Sequence, residues 1–240
     1  MSVALLWVAL GVAATQSDDD VWDARETREV QAKYGECVVK KVAGTARKMV
    51  LKPNLDESEW RRAIRTVGDG MCLIKATENY DGVEMKFPMD TMRYALADAL
   101  VRREFSTGPL PAIKDAAPLE QPTFDEAKYQ PEPGKNLSKD KLEELEQARA
   151  KRIGLVFLAT YGECVVRTNP EKSHALLMSK PSTDEESAAF KALTAEFSVC
   201  LPAGQQLSLG KTPLRGTIAM NYYRLAHAPR AAVPPAGATR

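Results

Sequence analysis

A chain of 240 residues has room for one large domain or two small ones. Its 33 Lys and Arg and its 32 Asp and Glu leave a formal net charge of +1, so no long-range field gathers nucleic acid or an anionic membrane. These values argue against a nucleic-acid partner, and 44% hydrophobic with 27% charged residues is ordinary for a globular protein.

The chain begins with an apolar run typical of an export signal. Residues 3–14 (VALLWVALGVAA) are too few to cross a bilayer comfortably, and the small residues at their end fit a signal-peptidase site. Because no Lys or Arg precedes the run, a buried or interfacial N-terminal helix is the alternative. We expect a signal peptide at 1–14, a mature chain without an integral membrane segment, and a periplasmic or secreted protein.

One hexapeptide, Tyr-Gly-Glu-Cys-Val-Val, occurs twice without change, at 34–39 and at 161–166. In both copies a second cysteine follows, after 35 and 36 residues, and an apolar segment with one arginine comes later in the same order. Matched motifs in a matched order predict a duplicated unit. We therefore predict two tandem helical repeats, unit 1 at 19–105 and unit 2 at 138–227, each small enough that a covalent crosslink helps to stabilise it.

Unit 1 is predicted to be mainly α-helical. Acidic residues at the start and Lys33 near the end of the first segment predict a helix over 19–39. Apolar residues at helical spacing predict a second helix over 42–51. Asp56 and Glu59 form a capping-box pattern ahead of a third helix, and Asp90 is placed to cap a closing helix.

Unit 2 is predicted to repeat this order. Ser138 caps its first helix, Thr183 and Glu186 repeat the capping box, and a closing helix runs over about 214–225. Alternating apolar and polar residues also predict one short extended segment before each closing helix: 83–87 and 207–209.

The connection between the units and the C-terminal tail have a different composition. Residues 106–137 carry six prolines and few large apolar residues, which predicts a semi-extended linker or a segment that wraps over a surface. Residues 228–240 are rich in Pro and Ala and are predicted to be disordered.

The four cysteines, two in each unit, suit a disulfide framework in an oxidising compartment. Three pairings are possible, and the duplication selects Cys37–Cys72 with Cys164–Cys200, since a unit that once stood alone closed its own bridge. Such a loop stabilises by roughly 3.8 kcal/mol on the chain-entropy model. With no Cys-x-x-Cys pair and only two histidines, the sequence predicts no metal site, and it indicates no other cofactor.

Glu36 and Glu163 occupy the same position of the hexapeptide, and each is followed later in its unit by an arginine at a matching position, Arg93 and Arg215. One hypothesis is a pair of carboxylates that face one cleft and do acid–base work. The other is that each glutamate forms a structural salt bridge with the arginine of its own unit. We favour the second because ion-pair networks often mimic active sites, and we expect Glu36–Arg93 and Glu163–Arg215 pairs, the latter buried, and no catalytic residue.

The two copies together resemble a known group of proteins. The Tyr-x-x-Cys-Val-Val start, the second cysteine some 35 residues on and the closing Leu-Arg-Gly-x-x-Ala helix resemble uncharacterised exported proteins of alphaproteobacteria. Residues 161–225 match this pattern well, whereas unit 1 departs from it at 92–94. The resemblance implies a location in the cell envelope and no known activity.

Three classes of function remain. A non-catalytic exported protein, structural or interacting with an envelope protein partner, is preferred because the sequence contains no recognisable catalytic constellation. The first alternative is a carrier that holds a small apolar ligand between the helices of one or both repeats. The second is a hydrolase that uses Glu36 and Glu163.

Overall fold

The computed structural model describes residues 24–55, 57–78, 89–131, 136–202 and 209–230. Four predicted features lie wholly or mostly outside these ranges: the signal peptide at 1–14, the extended segments at 83–87 and 207–209, and the tail beyond residue 230. The described residues are mainly helical, so the mainly α fold predicted from the sequence is confirmed.

The part of the chain that the structure describes contains nine α-helices: α1 (Arg25–Leu51), α2 (Glu57–Val67), α3 (Gly70–Thr77), α4 (Met89–Phe105), α5 (Lys139–Thr168), α6 (Pro170–Met178), α7 (Asp184–Ala192), α8 (Thr194–Val199) and α9 (Lys211–Ala226). Two 3₁₀ turns, Ile113–Asp115 and Glu126–Tyr129, lie between α4 and α5. Those same ranges contain no β-strand. None of the described helices has both the length and the apolar composition that a membrane span requires.

The closing helices of the two units, α4 and α9, lie side by side at the centre of the fold. α4 packs against α1 and α9, and α9 packs against α4 and α5, so the order of neighbours is α1, α4, α9, α5. Residues 95–101 of α4 and 215–225 of α9 are all buried. A helix that is enclosed on all sides belongs to the core, so the two units meet mainly through these two helices.

The long first helix of each unit is interrupted at a matching position. Val42 has non-helical dihedral angles inside α1 (φ −136°, ψ 46°), and Asn169 ends α5 with similar angles (φ −147°, ψ 84°). Both residues lie five positions after the cysteine of their hexapeptide. In unit 2 the interruption is complete, because the Asn169 side chain accepts a hydrogen bond from Lys172 N (3.0 Å) and Pro170 begins α6. In unit 1 the helices predicted over 19–39 and 42–51 are joined across the kink.

The glycine of each hexapeptide allows two helices to approach closely. A Cβ atom on Gly35 would lie 2.4 Å from the main-chain oxygen of Ala95 in α4. A Cβ atom on Gly162 would lie 2.5 Å from Asn221 Nδ2 and 2.9 Å from the main-chain oxygen of Thr217 in α9. The missing side chain therefore sets the distance between α1 and α4 and between α5 and α9.

The tyrosine of each hexapeptide is a core residue with one main-chain partner. Tyr34 Oη donates to Val67 O at 2.5 Å, and Tyr161 Oη donates to Phe197 O at 3.3 Å. Burial raises the pKa of both phenols to about 12, so both stay protonated donors at neutral pH. Each hydroxyl thus ties the long first helix to the helix that precedes the second cysteine.

The disulfide pairing predicted from the duplication is confirmed. Cys37 is bonded to Cys72, with their Cα atoms 5.5 Å apart, and Cys164 is bonded to Cys200, with their Cα atoms 5.7 Å apart. The first bridge joins α1 to α3, and the second joins α5 to the end of α8. Each predicted unit therefore has its own internal crosslink.

The described part of the linker wraps over unit 2. Its two 3₁₀ turns contact α5, and Arg149 of α5 binds Glu126 of the second turn at 2.8 Å. Arg167 of α5 donates to Ala116 O (2.9 Å) and to Ala117 O (2.8 Å). Ala117 N in turn donates to Pro229 O (2.8 Å), so residues 228–230 are held in place and the disorder expected from residue 228 does not begin there.

Candidate functional site

The salt bridge predicted between Glu36 and Arg93 is not formed. Glu36, with a side chain that is 60% exposed, lies 3.2 Å from Arg102 (Oε1 to Nη2). Arg93 instead donates to the main-chain oxygens of Met49 (3.1 Å) and Lys52 at the end of α1. The prediction is wrong because Arg93 meets the C-terminal end of α1, which is about 20 Å from Glu36 at 1.5 Å per residue.

The salt bridge predicted between Glu163 and Arg215 is not formed either. Glu163 pairs with Arg167, one turn further along α5, at 2.8 Å (Oε1 to Nε). It also accepts hydrogen bonds from Leu119 N (3.2 Å) and from the amide of Gln121. Glu163 therefore holds the linker against α5, and Arg215 has other partners.

The two arginines nevertheless do the same work in their units. Arg215 donates from Nη1 to Leu176 O (2.8 Å) and from Nη2 to Ser179 O (3.0 Å) at the end of α6. Counted from the cysteine of the hexapeptide, these acceptors lie 12 and 15 residues on, as do the two acceptors of Arg93 in unit 1. Carbonyls in the last turn of a helix have no partner within it, so each arginine completes a helix C-terminus.

Arg215 also belongs to a largely buried group of charged side chains, the interior ion cluster, whose members are Arg28, Asp98, Arg102, Glu186 and Arg215. Glu186, which is fully buried, lies 2.5 Å from Arg28 and 3.0 Å from Arg215. Asp98 lies 3.0 Å from Arg215 and 2.6 Å from Arg102. Every guanidinium in the cluster therefore has a carboxylate partner, which is what stabilises charges inside a protein.

Sequence reasoning placed Glu186 in a capping box, and the structure gives it a second role. Glu186 N donates to Thr183 Oγ1 at 3.4 Å, as the capping box predicts. Its carboxylate, however, accepts from Ser182 N (3.0 Å), whose φ of +65° is rare for a non-glycine residue, and from the cluster arginines. The signal that could have revealed the cluster is Asp98, a lone acidic residue within the apolar stretch 95–101.

Arg93 belongs to a second arginine group with a different charge balance. Together with Arg152, Arg224 and Asp90 it lines a cavity of about 60 Å³ between α4, α5 and α9, called the three-arginine cavity below. Asp90 is the single carboxylate among its described lining residues, and it also lies 3.5 Å from Lys151 Nζ. The charged side chains that line the cavity therefore sum to +2.

Neutral oxygen atoms hold the other two arginines of this cavity in place. Arg152 donates to Thr123 O (3.0 Å) and to Asn54 Oδ1 (2.7 Å). Arg224, which is 7% exposed, donates to Gln121 Oε1 (3.3 Å). These contacts fix the positions of the guanidinium groups without neutralising their charge.

The pKa values of two of these arginines are lowered, mainly by burial. Burial lowers the pKa of Arg93, and repulsion from Arg224 and Arg152 lowers it further, whereas Asp90 acts in the opposite direction. Burial likewise lowers the pKa of Arg224, whereas Glu163 and Glu120 act in the opposite direction. A guanidinium remains charged at any physiological pH, so this positive charge stays in the cavity.

Tyr94 is shared by the two arginine groups. Its ring packs on Gly216 of α9, where an added Cβ would lie 2.2 Å from Tyr94 Cγ. Tyr94 lines the three-arginine cavity and also a smaller cavity, about 40 Å³, beside Arg215 and Asp98. Arg93 and Tyr94 align with Arg215 and Gly216. The ring of Tyr94 therefore packs against the residue that occupies its own position in the other unit, a glycine without a side chain.

A larger cleft lies between α1 and α2. It has a volume of about 640 Å³ and is lined by apolar side chains that include Met49, Leu51, Leu55 and Ala63. The volume falls within the range of roughly 300–1,000 Å³ that is typical of small-molecule sites. This cleft has room for a small organic ligand, whereas the three-arginine cavity and the cavity beside Arg215 do not.

Comparison of the chain with protein-family models, with curated proteins and with solved structures gives no match. Function is therefore inferred from the side chains themselves.

Proposed function

We propose that the protein is a non-catalytic exported protein, built from two related units, with a structural or protein-interaction role in the cell envelope. The observation that carries the proposal is that all six positions of the repeated hexapeptide have architectural contacts. In both copies the tyrosine caps a carbonyl, the glycine admits a neighbouring helix, the cysteine forms a disulfide and the valines are buried. The glutamate of each hexapeptide, Glu36 or Glu163, forms an ion pair with an arginine.

Export is supported by the cysteines. All four form disulfides within the chain, a state that oxidising compartments maintain and that the cytosol of most organisms does not. The apolar run at residues 3–14 supplies a route to such a compartment. A periplasmic location also agrees with the resemblance to exported alphaproteobacterial proteins.

The hydrolase alternative receives no support from the contacts of its two glutamates. Glu36 pairs with Arg102, and Glu163 pairs with Arg167 while it accepts two hydrogen bonds from the linker. Both glutamates are better explained as parts of the architecture.

The carrier alternative is favoured by one specific observation, the cleft of about 640 Å³ between α1 and α2. Met49, Leu51 and Leu55 give it an apolar surface, and the exposed cations Lys48 and Arg62 lie at its edge. A ligand with an apolar body would bury its surface there. We keep this function as the second candidate.

Mass spectrometry of the protein purified from its host tests the proposal. A periplasmic fraction that contains a chain shortened at its N-terminus, with a mass lower by four hydrogens for the two disulfides, supports export. A cytosolic, full-length and reduced chain overturns it. A native spectrum separates the two candidate functions, since a bound protein supports the interaction role and a retained small molecule supports the carrier. Ala63→Trp, which fills the cleft, is expected to lose such a molecule.

A further inference from the structure

We infer that the three-arginine cavity binds a small tetrahedral oxyanion, with phosphate as the representative ligand. Nothing in the architectural role of the hexapeptides requires this site. It is formed by α4 of unit 1, by α5 and α9 of unit 2 and by the linker. The site therefore exists only when both units and the linker are packed together.

The first reason is the charge that the cavity carries. Arg93, Arg152 and Arg224 face it with Asp90 as the one carboxylate among the described lining residues, and Asp90 is shared with Lys151. In the interior ion cluster, by contrast, every arginine has a carboxylate within 3.2 Å. Three guanidinium groups that share one lining carboxylate are an arrangement that recognises phosphate and related anions.

The second reason is the hydrogen-bonding capacity that remains. Arg93 uses Nε and Nη2 on the end of α1, and Arg224 uses Nη1 and Nη2 on the linker. Nη1 of Arg93 and Nε of Arg224 take no part in these four contacts. The cavity also lies at the N-terminal end of α4, where the helix dipole adds a partial positive charge.

The third reason is size. The volume of about 60 Å³ exceeds the roughly 10–15 Å³ that one water needs and is far below the roughly 300 Å³ of a small-molecule pocket. An anion of a few heavy atoms fits between these limits. The cavity therefore takes an oxyanion rather than the body of an organic ligand.

The fourth reason is the matching cavity beside Arg215. Asp98 lines the cavity beside Arg215, and Met220 lines the three-arginine cavity beside Arg93. The two residues correspond in the sequence, because each follows the arginine of its own unit by five positions. The chain thus supplies its own anion to Arg215 from α4, whereas α9 supplies none to Arg93. An external anion takes the place of the missing carboxylate.

The test compares sodium phosphate with sodium chloride on the full mature chain at constant pH and ionic strength, by thermal melts and calorimetric titration. Phosphate is expected to raise the melting temperature of the wild type. Arg152→Gln is expected to weaken phosphate binding about tenfold, because it removes one charged hydrogen-bond donor. The matched control is Arg149→Gln, an arginine on the same helix that binds Glu126 and does not line the cavity, and it should bind phosphate like the wild type.

A second variant places the missing carboxylate. Met220→Asp reproduces the arrangement at Asp98 and is expected to abolish the response to phosphate while the circular-dichroism spectrum stays helical. The inference is overturned if phosphate stabilises the wild type no more than chloride does, or if Arg152→Gln responds like Arg149→Gln. Equal stabilisation by acetate and phosphate also overturns it, because a tetrahedral anion is then not preferred; sulfate is expected to act like phosphate.

Discussion

Arg93 and Arg215 stand at equivalent positions in the two units and finish equivalent helices, yet their electrostatic surroundings are opposite. Arg215 lies between two buried carboxylates, Asp98 and Glu186. Arg93 lies beside two further arginines that line the same cavity. The shared contacts, with main-chain oxygens, are made within a unit, and the contacts that differ come mostly from the other unit.

The difference lies in which side chains each arginine meets beyond its own helix terminus. Asp98 reaches Arg215 from the other unit, whereas the residue that corresponds to Asp98 is Met220. Glu186 binds Arg215, whereas its counterpart Glu59 binds Lys52. Contacts within each predicted unit recur in the other, whereas the charged groups around the two arginines differ: the interior ion cluster has two carboxylates for three guanidinium groups, and the three-arginine cavity has one for three.

The comparison predicts unequal costs for the same substitution in the two units. Arg215→Met should lower the free energy of unfolding by about 3 kcal/mol, because it takes one of two guanidinium partners from each of the buried carboxylates Asp98 and Glu186 and also removes the hydrogen bonds to the carbonyls of α6. Arg93→Met should cost only about 1–2 kcal/mol, because it removes hydrogen bonds to carbonyls without taking a cation from two buried carboxylates. Urea unfolding at pH 7 without phosphate measures both values.

A double-mutant cycle shows whether the cluster accounts for the larger cost. Asp98→Asn combined with Arg215→Met should cost less than the sum of the single substitutions, since each removes the partner of the other. Equal costs for Arg93→Met and Arg215→Met would contradict the comparison.

The two disulfides should, by contrast, contribute alike. They close loops of 35 and 36 residues, so removing Cys37–Cys72 or Cys164–Cys200 as a serine pair should each cost about 2–4 kcal/mol on the chain-entropy model. The measurement is urea unfolding of the two double-serine variants. A difference of more than about 2 kcal/mol would show that strain or residual structure, rather than loop closure, sets the contribution of one bridge.

The hexapeptide glycines are expected to differ in a smaller way. Gly35→Ala should cost about 1–2 kcal/mol, because the added methyl meets the rigid backbone of α4 at Ala95. Gly162→Ala should cost less, because the two atoms nearest to its methyl belong to the side chains of Asn221 and Thr217, and the nearest backbone atom, Thr217 O, is 2.9 Å away rather than 2.4 Å. Thermal melts of both variants check the order, and Gly44→Ala, which meets no atom within 4 Å, is the control for helix propensity.

The contacts within a unit were largely predictable from the sequence. The repeated hexapeptide and the matched cysteine spacing predicted the disulfide pairing, and the capping residues Ser138 and Thr183 were placed correctly at the starts of α5 and α7. These features depend on residues that are close in sequence or matched between copies. Local spacing and turn chemistry are sufficient for them.

The partners of the aligned charges were not predictable in this way. Alignment puts Glu163 and Arg215 in one unit, but it does not say how far apart their side chains lie. Arg167, four positions after Glu163 on the same helix, lies within reach of it whatever the packing, whereas Arg215 is 52 positions away in the sequence. The carboxylate of Asp98 reaches Arg215 across the contact between the units. Such contacts depend on how two units pack, and no periodicity within either unit encodes that.

The smallest expected effect concerns two carboxylates that match across the units, each a few residues before the second cysteine. Asp69 binds Lys41 at 2.6 Å and Glu196 binds Lys172 at 2.9 Å, and the lysine hydrogen bond is the main cause that lowers the pKa of each carboxyl group. A carboxyl group with a pKa that is lower in the folded state stabilises the fold above its ordinary pKa. That contribution disappears as the pH falls through the folded-state pKa.

Both pairs should therefore steepen the loss of stability between neutral pH and about pH 3. Asp69→Asn and Glu196→Gln should each flatten this dependence slightly, by less than about 1 kcal/mol for Glu196, because Lys172 is 42% exposed and solvent screens the pair. Urea midpoints at pH 7 and at pH 3 measure the slope, and Lys172→Met should reproduce the slope of Glu196→Gln. A slope that stays at the wild-type value in Glu196→Gln would show that its hydrogen bonds to Lys172 and Asn169 do not act on the folding equilibrium. Each unit would then contain a lysine–carboxylate pair, but the pair in unit 2 would not contribute to the pH dependence of stability. Arg93 and Arg215 differ in the same way, since both complete a helix C-terminus and only Arg215 is paired with buried carboxylates.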